Sequence, residues 1–280
     1  MSNYHSLQVE VRRRLAKGLQ FQGDYTFSKS LTNATDAAGS QSDLVSFRTL
    51  RNTHLDYRRA NTDQTHRFIF NSIYDLPVGN GKQFLGGAHG VLNQLVGGWT
   101  IGSIVTWQGR PPFFVASNRT TFNSFNPGNN PAQLVGISFA DFKKNLGVFR
   151  TPAGVFFINP AILDIVSTNA AGVQVNDASG KFVSSQLKAG LLSAPAPGVF
   201  GNFPLNALSG PHYFNLDLSA VKRWSVTERM KVELKTTVIN ALNHSNFIYG
   251  TQNFDSTSFG RITSTSGNTR AVTFTLTGKW

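Results

Sequence analysis

The chain has 280 residues, of which 26 are glycine, 23 are phenylalanine and none is cysteine, and only 14% are charged. The lack of cysteine excludes disulfides and thiolate metal sites, and no apolar run approaches the ~18 residues that a membrane-spanning helix needs. The formal net charge of +12 comes from scattered basic residues with no nucleic-acid-binding motif beside them. We therefore expect these residues to face anionic lipid phosphates or lipopolysaccharide rather than nucleic acid.

Seven segments are predicted to be β-strands: most alternate apolar and polar residues with a period of two, and WTIGSIVTWQ (99–108) is apolar on both faces and flanked by tryptophans. In LQFQGDYTF (19–27) the apolar positions share one face, and Lys17 and Gly18 form a tight turn from the strand before it. The segment FADFKKN (139–145) predicts a short helix. The other strands are predicted around 7–12 and over 66–77, 99–108, 213–224, 230–240 and 271–280.

The length of these strands favours a sheet that spans a membrane. Strands of globular proteins are most often about 5–6 residues long, whereas a strand that crosses a bilayer at ~45° needs about 9–11. The predicted fold class is all-β, an antiparallel up-and-down transmembrane β-barrel segment of about seven long strands. A soluble β-sandwich is the alternative, because one apolar face also suits a core. Aromatic residues stand at strand ends, as in the interfacial girdles of outer-membrane barrels, at Tyr25, Phe27, Tyr74, Trp99, Trp107, Trp224 and Trp280.

The joins between the strands alternate in length. Those at 15–18 and 225–229 are short, and that at 77–98 is of medium length. Their alternation with long joins predicts short periplasmic turns at one end of the sheet and long extracellular loops at the other. Loops of such length without elements of their own are usually functional or disordered. The long joins lie near 30–64, 110–210 and 241–268.

Three stretches resemble the large TonB-dependent outer-membrane receptors, and most closely those of acidobacterial type that carry a carboxypeptidase-regulatory-like domain. They are LVGGWTIGSIVTWQGRPPFFV (95–115), FGNFPLNALSGPHYFNLDLSAVKRW (200–224), and VINALNHSNF (238–247) followed by SFGRITSTSGNTRAVTFTLTGKW (258–280). The resemblance implies an outer-membrane receptor for the energy-coupled uptake of a bulky nutrient. It also implies contact with outer-membrane lipid and lipopolysaccharide.

The chain departs from these receptors in size. Such receptors have about 22 barrel strands and an amino-terminal plug, and they engage TonB through a box before that plug. We find no plug domain and no such box, so residues 1–280 are predicted to be the C-terminal portion of a receptor barrel, an incomplete barrel taken alone. The TonB system would then be reached only through the missing N-terminal part. A soluble or secreted adhesin or carbohydrate-binding module, and a small passive porin, are the alternative functions.

The shared motifs have a physical meaning of their own. Gly97 and Gly98 allow a sharp turn before Trp99 anchors a new strand at the membrane interface. Asn243 and His244 stand where a strand gives way to a loop, and asparagine readily makes local turn bonds. Both motifs are therefore interpreted as turn chemistry.

Three sets of candidate site residues follow. Charged residues on the non-lipid faces of the strands are predicted to face the lumen or the plug. Aromatic residues of the long loops are candidates for ligand binding, and the closing strand resembles the signal that the outer-membrane assembly machinery recognises. The lumen set is Glu10, Arg12, Asp24, Arg67, Asp75, Asp217, Lys231, Glu233 and Lys235, the ligand set is Phe113, Phe114, Phe122 and Phe125, and the assembly set is Val272, Phe274, Leu276 and Trp280.

No enzymatic activity is predicted. His244 and Ser245 are adjacent, and adjacent residues of a strand point to opposite faces, which would place a base and its nucleophile poorly. The six histidines show no HxH, HxxxH or HExxH spacing, so neither a metal site nor a cofactor is expected.

Overall fold

The computed structural model describes residues 1–33, 49, 51–117, 119, 121, 130–225, 227 and 230–279. Seven long strands form its main sheet, and each pairs antiparallel with the next one along the chain. The predicted all-β antiparallel fold is thereby confirmed. The strands are β1 (Ser2–Ala16), β2 (Leu19–Thr32), β3 (His66–Asp75), β4 (Trp99–Gln108), β5 (Tyr213–Ser225), β6 (Lys231–Ile239) and β7 (Ala271–Lys279).

The first two strands are longer than the sequence predicted. The prediction ended the second strand at Phe27, but pairing continues to Thr32, which lies opposite Ser2. The reason is visible in the side chains: Ser28 and Ser30 extend the row of polar residues on one face of β2. Hydroxyl-bearing residues are typical of turns as well as of polar sheet faces, so their pattern alone did not mark the strand end.

The sheet is a meander, so its joins fall at two ends. At one end lie the turn at Lys17 and Gly18, the join 76–98 and the short join after β5. At the other end lie the three long joins, over 33–65, 109–212 and 240–270. The join 76–98 contains the helix α1 (Gly90–Val96).

The long joins fold into a body of their own, which we call the loop domain. Its helix α2 (Phe139–Lys144) confirms the predicted helix, and Ser138 caps it by accepting a hydrogen bond from the backbone N–H of Asp141. Among the described residues, short 3-10 turns lie at Thr53–Asp56 and Pro160–Ile162. The short strands are Arg58–Arg59, which pairs with β2, and Pro112–Phe113, Gln133–Leu134, Leu146–Thr151, Gly154–Ile158, Leu163–Thr168, Gln174–Val175, Lys181–Leu187, Leu192–Ser193, Leu208–Ser209, Asn246–Phe247, Arg261–Ile262 and Thr265–Ser266.

The apolar core of the described chain lies in this loop domain and not against the long sheet. Phe142, Phe156, Phe203 and Phe259 are among its fully buried side chains. Apart from the helix at 139–145, no helix or strand was predicted from the sequence in the long joins, so the short strands of the loop domain were missed. The strands of the loop domain have only two to seven residues each, which is too short for a periodic pattern to identify them.

Within the described part of the chain, neither α1 nor α2 has the length and hydrophobicity of a membrane-spanning helix.

Candidate functional site

The register of the seven strands sorts their side chains onto two faces, because successive residues of a strand point to opposite sides. One row runs straight across five strands as Arg12, Gln22, Asn71, Ile104 and Asp217. We call the face that carries this row the polar face. Every charged residue predicted to line the lumen lies on it, namely Glu10, Arg12, Asp24, Arg67, Asp75, Asp217, Lys231, Glu233 and Lys235.

Some of these charges are tied into a network near the short-turn end of the polar face. Thr100 Oγ1 donates to Asp75 Oδ1 at 2.6 Å, and Arg223 Nη1 donates to Thr100 Oγ1 at 3.1 Å. Arg223 Nε also bonds Glu233 Oε2 at 2.9 Å. Lys231 and Lys235, in contrast, are exposed. The polar face therefore presents two exposed lysines beside a hydrogen-bonded cluster in which Arg223 bridges to Glu233 and, through Thr100, to Asp75.

A groove of 320 Å³ opens on the polar face at its loop end. It is lined by hydroxyl and charged groups, including Tyr4, Ser28, Ser30, Asp63 and Arg67. Asp63 is fixed at the back of this groove, where Oδ1 accepts from the backbone N–H of Ser30 at 2.6 Å and Oδ2 pairs with Arg59 at 2.8 Å. The groove therefore has the groups to hydrogen-bond a polar ligand.

The opposite face, which we call the apolar face, carries two aromatic belts. At the loop end the ring of His66 lies 5.3 Å from Phe27 and 5.8 Å from Trp107, and Trp107 stacks on His212 at 5.3 Å. At the short-turn end Trp99 and Trp224 flank Lys222, whose Nζ lies 5.5 and 5.6 Å from their ring centres. Trp99 and Trp107 are eight residues apart on β4, about 27 Å along the strand at ~3.4 Å per residue. At a tilt of ~40° this spacing is about 21 Å along the membrane normal, which is of the same order as an apolar band ~25 Å tall.

The apolar face is not the inside of a sandwich. Leu7, Val11, Phe274 and Leu276 on this face are 61%, 57%, 69% and 72% exposed. In the described chain no second sheet pairs with or covers the long one at these positions. The alternative of a soluble β-sandwich, in which such side chains pack in a core, is therefore wrong.

A cleft of 710 Å³ lies where the loop domain meets the strand ends. His212 and His244 line it, and their rings contact Trp107 and Phe214, so the cleft belongs to the apolar side of the sheet. Lys143, Arg150 and Arg59, whose charge is already paired with Asp63, also line it, and its described lining includes no acidic side chain. Such a cleft suits an anionic group with an apolar neighbour.

Two of the phenylalanines predicted to bind a ligand in an outer loop lie instead in the core of the loop domain. Phe113 and Phe114 are only 6% and 7% exposed, and Phe113 stacks on Tyr249 with ring centres 4.2 Å apart. They are core residues of the loop domain, because the segment after β4 turns back into that core rather than forming an open loop. Their burial corrects the prediction that they meet a ligand. Phe122 and Phe125 lie outside the described residues.

The glycine pair before β4 performs the predicted turn. Gly98 has φ +69°, and a Cβ there would lie 2.6 Å from the carbonyl oxygen of Arg223. The same two backbones are joined by the bond from Arg223 N to Gly98 O at 3.0 Å. Glycine is required here both for the turn and for the close approach to β5.

The asparagine-rich motif after β6 also acts as turn chemistry. Asn240, which is 3% exposed, accepts from the backbone N–H of His244 and donates to the carbonyls of His244 and Asn268 at 2.9–3.1 Å. Asn246 bonds both backbone groups of Phe214, at 2.7 and 2.8 Å. These amides, and not His244 or Ser245, organise the segment. Within the described residues no group of three His, Asp or Glu side chains could hold a metal ion.

The FGNF stretch joins separate parts of the loop domain, which its sequence did not reveal. Asn202 Oδ1 accepts from Leu134 N at 2.7 Å, and Phe203 N donates to Ala132 O at 3.0 Å. Phe203 packs edge-on against Phe142 with ring centres 5.4 Å apart. Further along, Asn206 donates to Arg59 O at 2.7 Å, which ties this segment to the first long join. Asn206 is buried and has a positive φ, two features of the fold that the sequence alone does not show.

The assembly candidates form one row on the edge strand β7. Val272, Phe274 and Leu276 occupy alternate positions on the apolar face and are exposed. Trp280 lies outside the described residues.

Comparison with known proteins agrees with this geometry. A family model described as an outer membrane beta barrel domain matches residues 1–273. No curated protein and no solved structure gives a match. The matched region includes six of the long strands entirely and the start of the seventh, and the family is one of the outer membrane. The chain therefore belongs to the outer membrane beta barrel domain family.

Proposed function

We propose that the chain is part of the barrel wall of a TonB-dependent receptor that takes up a bulky nutrient across the outer membrane. The observation that carries this proposal is the separation of the sheet into a charged face and an exposed apolar face, with a folded loop domain at one end. The polar face then lines the passage, and the loop domain faces the outside of the cell. Barrels of this family are generally not enzymes, and we assign no catalytic residue.

The two edges of the sheet support an origin in a larger barrel. Within the described residues, β1 pairs with β2 alone and β7 with β6 alone, so the sheet is open. Unpaired backbone groups are costly in lipid, so further strands have to complete the wall. In the proposed receptor these strands and the plug come from the part of the barrel that precedes this chain. A passive porin of seven strands would leave the same edges unpaired.

The proposal also gives each surface a partner. The apolar face between the aromatic belts contacts acyl chains, and the basic cleft beside His212 and His244 contacts the phosphates of lipopolysaccharide. Lys231, Glu233 and Lys235 contact water or the plug. The row of Val272, Phe274, Leu276 and Trp280 is presented to the outer-membrane assembly machinery. None of these partners is nucleic acid.

A labelling experiment tests the orientation of the sheet. Lys235 and Leu276 belong to neighbouring strands and opposite faces, so Lys235→Cys and Leu276→Cys form a matched pair in a chain that has no cysteine. In intact outer membranes, a water-soluble maleimide should modify the Lys235→Cys variant readily when the plug is loosened with urea, and should modify the Leu276→Cys variant poorly. A lipid-soluble maleimide should show the opposite preference. Modification of the Lys235→Cys variant from the lipid phase would contradict the proposal.

An uptake experiment tests the transport step. Cells lacking the gene are compared with wild-type cells for saturable uptake of ferric siderophores, cobalamin and oligosaccharides, with and without a protonophore. The proposal expects the deletion to remove the uptake of one class, and expects the protonophore to abolish that same uptake. Uptake that survives the protonophore would identify a passive porin instead.

A further inference from the structure

The helix α1 is attached to the apolar face of the sheet, at its short-turn end. Trp99 Nε1 donates to Leu95 O and Trp224 Nε1 donates to Gln94 O, both at 3.0 Å, and Lys222 Nζ donates to Gly97 O. These three donors all belong to the apolar face of β4 and β5. The helix therefore lies over the lower aromatic belt, on the outside of the barrel wall.

The exposed surface of this segment is mostly apolar, although Gln83, His89 and Gln94 are also exposed. Val91, Leu92 and Leu95 are 77%, 51% and 65% exposed, and the preceding turn exposes Phe84 and Leu85 by 56% and 55%. The stretch QFLGGAHGVLNQLVGG (83–98) contains no Asp, Glu, Lys or Arg. A water-facing helix of this chain would be expected to carry charge on its exposed side, as α2 does at Asp141, Lys143 and Lys144.

The C-terminal end of α1 has hydrogen-bond partners that do not depend on water. The last carbonyls of a helix have no partner within it, and water normally satisfies them at a surface. Here the indoles of Trp99 and Trp224 and the ammonium of Lys222 satisfy them instead. Lys222 is only 1% exposed, and a cation at a helix C-terminus is favourable to the helix dipole.

We propose that α1 and the turn before it form an interfacial anchor, which inserts Phe84, Leu85, Val91, Leu92 and Leu95 into the periplasmic-side leaflet beside the barrel. The occupant of this surface is the acyl and glycerol region of the phospholipid leaflet. The argument is continuity: the exposed patch extends the apolar face past Trp99 and Trp224, the residue types that mark the membrane interface. Interfacial anchors bind in this way: the helix lies in the plane of the membrane interface, and the side chains of its apolar face are buried at the boundary between headgroups and acyl chains.

This inference rests on the proposed orientation of the apolar face, and the experiment separates the two. Nitroxide labels are placed singly at Leu92→Cys, at Asn80→Cys and at Leu276→Cys in the full protein, reconstituted in phosphatidylethanolamine–phosphatidylglycerol vesicles. Collision rates with oxygen and with a water-soluble nickel chelate are measured by electron paramagnetic resonance. Asn80 is an exposed residue of the same join that lies before the anchor.

The expected result is an oxygen-to-nickel collision ratio at position 92 several-fold higher than at position 80 and approaching that at position 276. A ratio at 92 equal to that at 80, while 276 stays high, would place the helix in water and overturn the anchor alone. Low access of both reagents at 92 would mean that protein covers the helix, which also overturns it. A low ratio at 276 would overturn the orientation of the sheet itself, and the anchor with it.

A second pair of variants gives a readout that does not depend on a label. Leu95→Asp places a charge on the exposed apolar side of α1, whereas Gln94→Asp places the same charge at an exposed position that is already polar. The folded, heat-modifiable fraction in vesicles should fall several-fold for Leu95→Asp and stay unchanged for Gln94→Asp. Equal behaviour of the two variants would contradict the anchor.

Discussion

The side-chain amide of Asn246 bonds both backbone polar groups of Phe214: its Oδ1 accepts from Phe214 N at 2.7 Å and its Nδ2 donates to Phe214 O at 2.8 Å. β6 pairs with β5 only from Leu218 onward. At Phe214, the side-chain amide of Asn246 makes the two hydrogen bonds that a neighbouring strand would otherwise make. The side chain is buried, at 3% exposure. This pairing fastens the loop domain to the barrel wall at the first residues of β5.

We predict that Asn246→Ala lowers the free energy of unfolding by about 1–3 kcal/mol, because it leaves buried backbone groups of Phe214 without partners. Urea unfolding followed by near-ultraviolet circular dichroism measures the change, and hydrogen exchange at the amide of Phe214 locates it. Asn80→Ala is the matched control, since Asn80 is exposed, and it should stay within ~0.5 kcal/mol of wild type. Equal stability of the two variants would refute the role of Asn246.

The second prediction concerns the close approach of backbones at Gly201. A Cβ at this position would lie 1.9 Å from the carbonyl oxygen of Pro131 and 2.5 Å from that of Ala132. Gly201→Ala should therefore destabilise the loop domain by about 1–3 kcal/mol through overpacking. Gly87→Ala is the control, because a Cβ at Gly87 would meet no atom within 4 Å. The two unfolding curves, measured side by side, should differ clearly in midpoint, and coincident curves would contradict the packing.

The third prediction is a pH dependence that Tyr249 produces. Burial against Phe113 in the loop domain raises the pKa of the Tyr249 phenol. A raised pKa in the folded state means that the folded state holds the proton more tightly than the unfolded chain. Stability should thus be constant below pH ~10, the ordinary tyrosine pKa, and should fall as the pH rises from there through the raised value.

Tyr249→Phe isolates this effect, since it keeps the ring and removes the ionisable hydroxyl. Wild type and variant should have parallel urea midpoints up to about pH 9 and should diverge above about pH 10, with the wild type falling faster. Ultraviolet absorbance of the phenolate follows the ionisation directly. A variant whose stability declines as steeply as that of the wild type would show that Tyr249 is not the titrating group.

The fourth prediction concerns assembly. Val272, Phe274 and Leu276 present an exposed apolar row on the edge strand β7, and Trp280 continues the alternation of the sequence. Deleting Trp280 should lower the amount of heat-modifiable protein in the outer membrane severalfold, whereas Trp280→Phe should restore it because the terminal aromatic ring is kept. Normal heat-modifiable folding after the deletion would count against an assembly signal at this position.

Most of the long strands could be predicted from the sequence because a period-two pattern is local to the strand, as in β6, where Val232, Leu234 and Val238 face one way and Lys231, Glu233 and Lys235 the other. The polar face followed from the same rule. What could not be predicted depends on contacts between distant segments. Phe113 is an exposed loop aromatic in the sequence prediction and a core residue in the fold.

Lys222 is a second residue whose environment could not be predicted from the pattern of its own strand. Its position in the alternation of β5 places a positive charge on the apolar face, which a pattern alone treats as a defect. The structure resolves the conflict through Trp99, Trp224 and the carbonyl of Gly97, which come from separate places in the chain. Asn246 and Asn206 likewise act through partners 32 and 147 residues away.

The loop domain has an apolar core that is separate from the barrel wall, and this affects how the protein can diversify. Substitutions at Phe142, Phe156 or Phe203 meet the same packing constraints as in a water-soluble globular protein, so these core positions are not free to follow a changing ligand. In the proposed receptor, adaptation to new ligands would then be concentrated at the rim of the cleft and the groove, while the interior of the loop domain diverges slowly.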